Sequence, residues 1–220
     1  MLVEIWSDVV CPWCYVGKRR FGVALSGFEH RDDVQVVHRA FQLDPQAESD
    51  QPGTLSPSHT ERLAAKFGTD NERITAMHAQ MTELGAADGI DFRFEQVRSA
   101  NTVDAHRLLH LATDLGMGGE VAERFFQAVF TDGEAMGDRD TLRRVAVAAG
   151  LPADQVDDVL ATQRYSEEFI ADLERAQRLE ITGVPFFVLD GRFGVSGAQS
   201  VEVLAGALTE AYAARGVDVS

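Results

Sequence analysis

The stretch Ser7-Asp8-Val9-Val10-Cys11-Pro12-Trp13-Cys14 decides how the chain is read. It follows a short apolar run, Leu2 to Trp6, that reads as a strand, and it precedes Phe21, Ala24, Leu25 and Phe28 at helical spacing. Pro12 suits the first helical position, where its missing N–H costs nothing. Cys11 and Cys14 are the only cysteines in 220 residues, and they fall at this strand-to-helix turn with the first sulfur at the helix N-terminus. Unpaired N–H groups and the helix dipole stabilise an anion there, which favours a thiolate at Cys11. Such a thiolate is both a better-populated nucleophile and a better leaving group in disulfide exchange. Cys14, one helical turn in, is placed to close back on Cys11.

Other readings of Cys-x-x-Cys fit less well. His106 and His110 form an H-x-x-x-H pair on one helical face, but structural zinc sites are compact and these histidines lie far downstream, so no metal is expected. A static disulfide closing so short a loop removes little entropy from the unfolded chain. Two inert thiols would leave Pro12 and Trp13 between them unexplained. Redox chemistry carried by the two sulfurs, without a cofactor, is the expectation.

Length allows one elaborated domain or a small domain with an insertion. With 45% hydrophobic and 25% charged residues, the chain reads as an ordinary globular protein with ample core. The formal net charge of −15 argues against nucleic acid and against anionic membrane surfaces. No apolar run approaches transmembrane length. The N-terminus enters a strand at Leu2 instead of a basic leader, which predicts a cytoplasmic protein. Two cysteines in a reducing compartment imply a transient, catalytic disulfide.

After the first helix, Val34 to Val37 reads as a second strand continuing towards Phe41, parallel to the first because one helix crosses between them. His38 and Arg39 read as a solvated pair following it. Asp44 to Gly53 shifts to Asp, Pro, Gln, Ser and Gly, a linker or exposed loop. From there to about Arg164 the patterning is helical. Ser58 with Glu61 is a capping-box pattern, and Ile74, Met77, Met81 and Leu84 form a core stripe. Ile90 to Phe94 alternates but is short. Helices are expected around Val103–Leu115, Phe125–Phe130, Asp138–Ala149 and Ala153–Leu160, with His106 and His110 at the edge of the bundle. A longer helix carries Tyr165, Phe169, Leu173 and Ala176 to about Ile181. Phe186 to Leu189 is continuously apolar, like a central strand, and Asp190-Gly191 is a hairpin signal before Arg192 to Val195. A last helix carries Val201, Leu204, Leu208 and Tyr212. Pro185, at the start of a strand, forfeits a ladder hydrogen bond, and local sequence alone favours a trans bond before it.

Strand, Cys-Pro-Trp-Cys helix, strand, helical stretch, then Gly-Val-Pro before a hairpin and helix: this order resembles the DsbA-like thioredoxin-fold oxidoreductases. More narrowly it is similar to the FrnE-type branch, related to 2-hydroxychromene-2-carboxylate isomerases and kappa-class glutathione transferases. The residues that carry the resemblance are Ser7 to Cys14, Phe41-Gln42-Leu43-Asp44-Pro45, Asn101 to Arg107, Thr182-Gly183-Val184-Pro185-Phe186-Phe187 and Ser196-Gly197-Ala198-Gln199. The resemblance implies an α/β fold, a thioredoxin fold with a long all-helical insertion, divided into a discontinuous domain of residues 1–45 and 165–220 and a helical subdomain of 55–164. It implies that Cys11 attacks, that Cys14 resolves, and that Pro185 is a cis-proline beside the sulfurs. It further implies that Val184 offers its backbone to an extended substrate. Pro12 and Trp13 would tune the redox poise and, with Val184 and Pro185, meet the substrate. The partners implied are a thiol- or disulfide-bearing protein or small molecule, glutathione among them. The isomerases and transferases carry serine where Cys11 stands, and a Ser-Asp-Arg type segment where this chain has Gly197-Ala198-Gln199. Those departures favour dithiol–disulfide exchange over glutathione-dependent isomerisation or transfer. A complete Cys-x-x-Cys likewise argues against a redox-inert binding module.

Overall fold

The computed structural model describes residues 1–50 and 57–216. Strand β1 (Leu2–Ser7) leads through a short turn into helix α1 (Pro12–Ser26), which crosses over so that β2 (Gln35–Ala40) lies parallel to β1. Strands β3 (Phe186–Leu189) and β4 (Phe193–Ser196) return from the far end of the sequence, and the sheet order is β2-β1-β3-β4. β3 is antiparallel to β1, with Ile5 opposite Phe187 and Trp6 opposite Phe186. The apolar run at Phe186–Leu189 is thus an inner strand. Asp190 and Gly191 both adopt positive φ, as a tight hairpin turn demands, and the Arg192 N–H donates to the Leu189 carbonyl at 3.1 Å.

Between the two halves of the sheet run α2 (His59–Phe67), α3 (Asn71–Ala87), α4 (Val103–Asp114), α5 (Gly118–Phe130), α6 (Arg139–Ala148) and α7 (Ala153–Ala161). α8 (Ser166–Arg178) then leads back to the sheet, and α9 (Val201–Ala213) follows β4. No strand occurs among the described residues between 57 and 164. This is a DsbA-like thioredoxin fold with a helical insertion. Ser58 makes a complete capping box with Glu61 at the start of α2.

α1 joins two cores. Tyr15 and Val16 pack with the insertion helices, where the Tyr15 ring stacks on Phe126 at 5.2 Å. Phe21, Ala24 and Phe28 pack with Val3, Ile5, Phe187, Leu204 and Leu208 on the side of the sheet that α9 covers.

Several expectations change. His38 and Arg39 lie inside β2, and His38 is buried; Ile5 pairs with it across the sheet and helix α5 packs over that edge. His106 and His110 are buried, because α4 is a central helix of the insertion, touching α5, α7, α8 and β2. Met77 leaves the expected stripe: it is exposed, whereas Ile74 and Met81 are buried. Ile90 to Phe94, whose alternation is short, forms no strand, as its sequence allows, and leads into a 3-10 turn, Phe94–Gln96. α8 ends at Arg178, short of Ile181, and Glu180 takes positive φ. Residues 44–50 are tied to the insertion, since Asp50 Oδ2 accepts from Ser99 N and Ser49 Oγ accepts from Asn101 N. Residues 51–53 of the expected linker, and 55–56 of the expected subdomain, fall outside the described residues.

Candidate active site

Cys11 is the N-cap residue of α1, with Pro12 at its first turn. Its backbone N–H donates to the Asp8 carbonyl at 3.0 Å, and its own carbonyl accepts from Cys14 N and Tyr15 N. These bonds fix the turn that carries the motif from the strand edge into the helix. Both thiols are free and buried, Cys11 at 4% exposure and Cys14 at 1%, so Cys11 is more enclosed than a helix N-terminus alone suggests. Trp13, between them, is 46% exposed and forms the visible surface of the motif.

The enclosure comes from the opposite end of the chain. The Val184–Pro185 bond is cis, as the resemblance implies, and the Cys11 sulfur lies 3.7 Å from the Val184 carbonyl oxygen. Gly17 is what lets α1 approach this segment: a Cβ there would stand 2.7 Å from Pro185 Cγ and 3.5 Å from Phe187 Cζ. The Pro185 carbonyl accepts from Gly197 N at 2.8 Å. The Ala198 carbonyl accepts from Arg20, which also grips Asp88 through two nitrogens.

Asp8 is the hub that the sequence did not reveal. Its side chain is 1% exposed, its Oδ2 accepts from Leu43 N at 2.9 Å, and its Oδ1 lies 3.4 Å from His106 Nε2. The five segments quoted for the family resemblance therefore converge. Phe41–Pro45 reaches the motif through Leu43, Asn101–Arg107 through His106, Thr182–Phe187 through Val184, and Ser196–Gln199 through the bond to Pro185. A carboxylate next to Cys-x-x-Cys at a strand end was the available signal. An Asp in a turn reads as solvated unless its partner, in a helix far along the chain, is known.

The electrostatics separate the two sulfurs. Burial above all pushes the Cys14 thiol well above its ordinary value. Its hydrogen bond to Cys11 and the charge of Cys11 act the same way; the Asp8 backbone N–H pulls it down, and the Asp8 charge raises it again. Cys14 is accordingly held as a thiol. Behind the motif a second buried group joins the sheet to α8. Glu4, 1% exposed, accepts from Arg39 at 2.9 Å and from Arg175 at 2.7 Å. Arg39 also bonds Asp172, which accepts from Ala40 N and lies 3.1 Å from His110. His106 and His110 each face a carboxylate, not each other's ligand shell. Among the described residues no group of three or more His, Cys, Asp or Glu is arranged to hold a metal, and no helix is long and apolar enough to cross a membrane.

The comparisons with known proteins agree with this geometry. The uncharacterized protein YwbO of Bacillus subtilis (strain 168) is 27% identical over 210 residues, covering 94% of this chain and 96% of that one. The crystal structure of probable DsbA oxidoreductase SCO1869 from Streptomyces coelicolor superimposes with a TM-score of 0.91 at 43% identity, over 100% of this chain and 93% of the other. A 2-hydroxychromene-2-carboxylate isomerase has the same fold at 17% identity, with a TM-score of 0.67 over the full length of both chains. Residues 2–209 match the DSBA-like thioredoxin domain, and the chain belongs to that family, consistent with its FrnE-type branch.

Proposed function

We propose that this protein is a thiol–disulfide oxidoreductase in which Cys11 is the nucleophile and Cys14 the resolving thiol. The observation that carries the reading is the asymmetry around the motif. Cys11 caps α1 beside the Val184 carbonyl, whereas Cys14 is fully enclosed and held as a thiol. Attack by Cys11 on a substrate disulfide forms a mixed disulfide and expels one substrate thiolate. Cys14 then attacks the Cys11 sulfur, the second substrate thiolate leaves, and the protein holds the disulfide; the reverse sequence delivers it. The Val184 backbone serves as the edge on which an extended thiol- or disulfide-bearing segment is laid, with Trp13 and Pro12 beside it.

Glutathione fits this scheme as a thiol partner rather than as a conjugated cofactor. In the 197–199 segment the Gln199 amide turns back onto the Ser196 carbonyl at 2.8 Å, and Arg20 occupies the Ala198 carbonyl. Gly197, Ala198 and Gln199 themselves carry no charged side chain for a γ-glutamyl group. The work of such a dithiol belongs to a reducing, cytoplasmic setting.

Insulin reduction with dithiothreitol and chloro-dinitrobenzene conjugation with glutathione divide the readings. Insulin turnover that is lost in Cys11→Ser, together with a trapped mixed disulfide in Cys14→Ser by mass spectrometry, is the expected result. Conjugation without insulin turnover would replace this reading with glutathione transfer.

A further inference from the structure

We infer that Arg20 is the positioning residue of the substrate edge. Its guanidinium fastens the turn after β4 to the end of α3, and through that turn it fixes how far the Val184 backbone stands from the Cys11 sulfur. This inference rests on the proposed dithiol exchange along the Val184 edge.

The edge is held from one end only. Thr182, Gly183 and Val184 make no backbone–backbone hydrogen bond among the described residues, and the Val184 carbonyl meets the Cys11 sulfur at 3.7 Å. On its C-terminal side the edge runs into Pro185, which two contacts locate. One is the close approach of Gly17, where an added Cβ would stand 2.7 Å from Pro185 Cγ. The other is the Pro185 carbonyl, which accepts from Gly197 N at 2.8 Å. Gly197, at a φ of 81°, opens the turn that leaves β4, and β4 is an outer strand of only four residues. The end of such a strand frays unless something further holds it.

Arg20 supplies that hold. It lies three residues after Gly17 in α1, so the two positions share one face of the helix. Its Nη1 donates to the Ala198 carbonyl at 2.9 Å, inside the turn. Its Nε donates to both Asp88 oxygens at 3.1 and 3.0 Å, and its Nη2 lies 2.9 Å from Oδ2. Asp88 is a firm anchor, because it is the C-cap residue of α3 and the last turn of that helix is pressed onto the insertion core. Ile90 N donates to the Gly85 carbonyl at 2.8 Å, and a Cβ at Gly85 would collide with the buried Phe92 ring. Ala198 and Val184 pack against the same core. The insertion thus reaches the edge by one continuous path, from Asp88 through Arg20 and the 197–198 turn to Pro185.

The path needs a planar fork. A guanidinium aims separate N–H groups at a carboxylate and a carbonyl at once, whereas an ammonium is a point charge on a flexible stem. The Arg20 and Asp88 side chains are only 20% and 16% exposed, which keeps the fork apart from bulk water. A small disulfide needs the Cys11 sulfur alone, but an extended segment needs Val184 at the right distance from it. Arg20 therefore sets the preference for extended segments and leaves the thiol chemistry unaltered.

The test uses two disulfides with one leaving group: 5,5′-dithiobis(2-nitrobenzoate), and an extended peptide whose central cysteine carries nitrothiobenzoate. In each, Cys11 of the reduced protein bonds to the sulfur that stays, the disulfide breaks, and nitrothiobenzoate leaves as a coloured thiolate. Arg20→Met is expected to lower the peptide rate on the order of tenfold, to keep the small-disulfide rate within about twofold, and to speed hydrogen exchange at the Gly197 amide. Arg20→Lys keeps a charge opposite Asp88, and is expected to recover stability in urea but not the peptide rate. A peptide rate unmoved in Arg20→Met, equal losses for both disulfides, or full rescue by Arg20→Lys overturns the inference. Should Arg20→Met not fold, Asp88→Asn decides, since it loosens the fork from the insertion side. There the ratio of peptide to small-disulfide rate is expected to fall by a smaller factor, and an unchanged ratio removes the path through the insertion. A wild-type protein that releases nitrothiobenzoate from neither disulfide, or no faster than Cys11→Ser, would instead refute the dithiol exchange itself.

Discussion

The two faces of the central sheet are equally buried and chemically opposite. On one, Val3 and Ile5 of β1 meet Phe187 and Leu189 of β3 under α1 and α9, with only apolar neighbours. On the other, Glu4 and Trp6 of the same strand meet Arg39, Asp172, Arg175 and Ala176, and the indole N–H of Trp6 donates to the Asp172 carbonyl. The apolar face is held by contacts that tolerate no particular geometry beyond good packing. The charged face costs desolvation for each ion and repays it only when every partner is in place. A single strand thus shows two ways of joining helices to a sheet. The charged way fixes where α8, and with it the returning Val184 segment, must dock.

The largest expected effect comes from taking away the bridging cation. Arg39→Met leaves the Glu4 carboxylate with Arg175 alone and Asp172 with His110 and the Ala40 N–H, and should cost about 3 kcal/mol or more in urea unfolding. Adding Glu4→Gln and Asp172→Asn should recover part of that loss, since neutral groups are cheaper to leave unpaired. On the apolar face, Leu208→Ala should cost about 2–5 kcal/mol by opening a cavity, and should add to Arg39→Met within about 0.5 kcal/mol. A triple variant no more stable than Arg39→Met would show that the charged face is not an ion network at all.

His38 is the polar exception on the α1 side. It lies next to Ile5 in register, against Gly118, with Lys18 nearby, and burial first and Lys18 second bring it down to about 4. An unfolded histidine titrates near 6.5, so the unfolded chain binds this proton first as pH falls. The stability this site contributes is complete above about pH 6.5 and is lost as pH drops towards 4, by about 2–3 kcal/mol. His38→Leu should remove that part of the pH dependence, measured as the difference in unfolding free energy between pH 7 and pH 4. Identical slopes in the two proteins would mean that His38 is not kept neutral by burial.

The same contrast explains what could be read from the chain. Strand and helix positions followed from apolar spacing, and the Cys-Pro-Trp-Cys turn from helix chemistry, because those signals are local. The cis bond at Val184 came only from the resemblance; nothing near Pro185 encodes it. The charged face was illegible. Glu4 interrupts the apolar run Leu2 to Trp6, a hint of a buried acid, but its partners Arg39 and Arg175 lie 35 and 171 residues away along the chain. His38 and Arg39 looked solvated, and His106 and His110 looked like residues at the edge of the bundle, because polar residues are usually exposed. Asp8 was passed over for the same reason, although it stands three residues before Cys11.

The smallest expected effect on stability is at the seam between the apolar face and the site. Gly17 sits inside α1, where alanine would normally be favoured by about 1 kcal/mol. Here the added methyl would meet the Pro185 ring, which cannot swing aside as a flexible side chain would, and then Phe187 from the apolar core. The helix preference and the clash oppose each other, so Gly17→Ala should destabilise by only about 1–2 kcal/mol. Its consequence for chemistry should be larger than that figure suggests. Pro185 is carried on the segment whose Val184 carbonyl stands 3.7 Å from Cys11, so a displaced ring moves the proposed substrate edge away from the sulfur. Initial attack by Cys11 on a peptide disulfide should slow in Gly17→Ala, while attack on a small disulfide that needs no edge stays near the wild-type rate. Gly22 lies on the same helix with open space around it, and Gly22→Ala provides the control: it should stabilise and leave both rates alone. Equal rates for the peptide and the small disulfide in Gly17→Ala would mean that the packed face ends before the site begins.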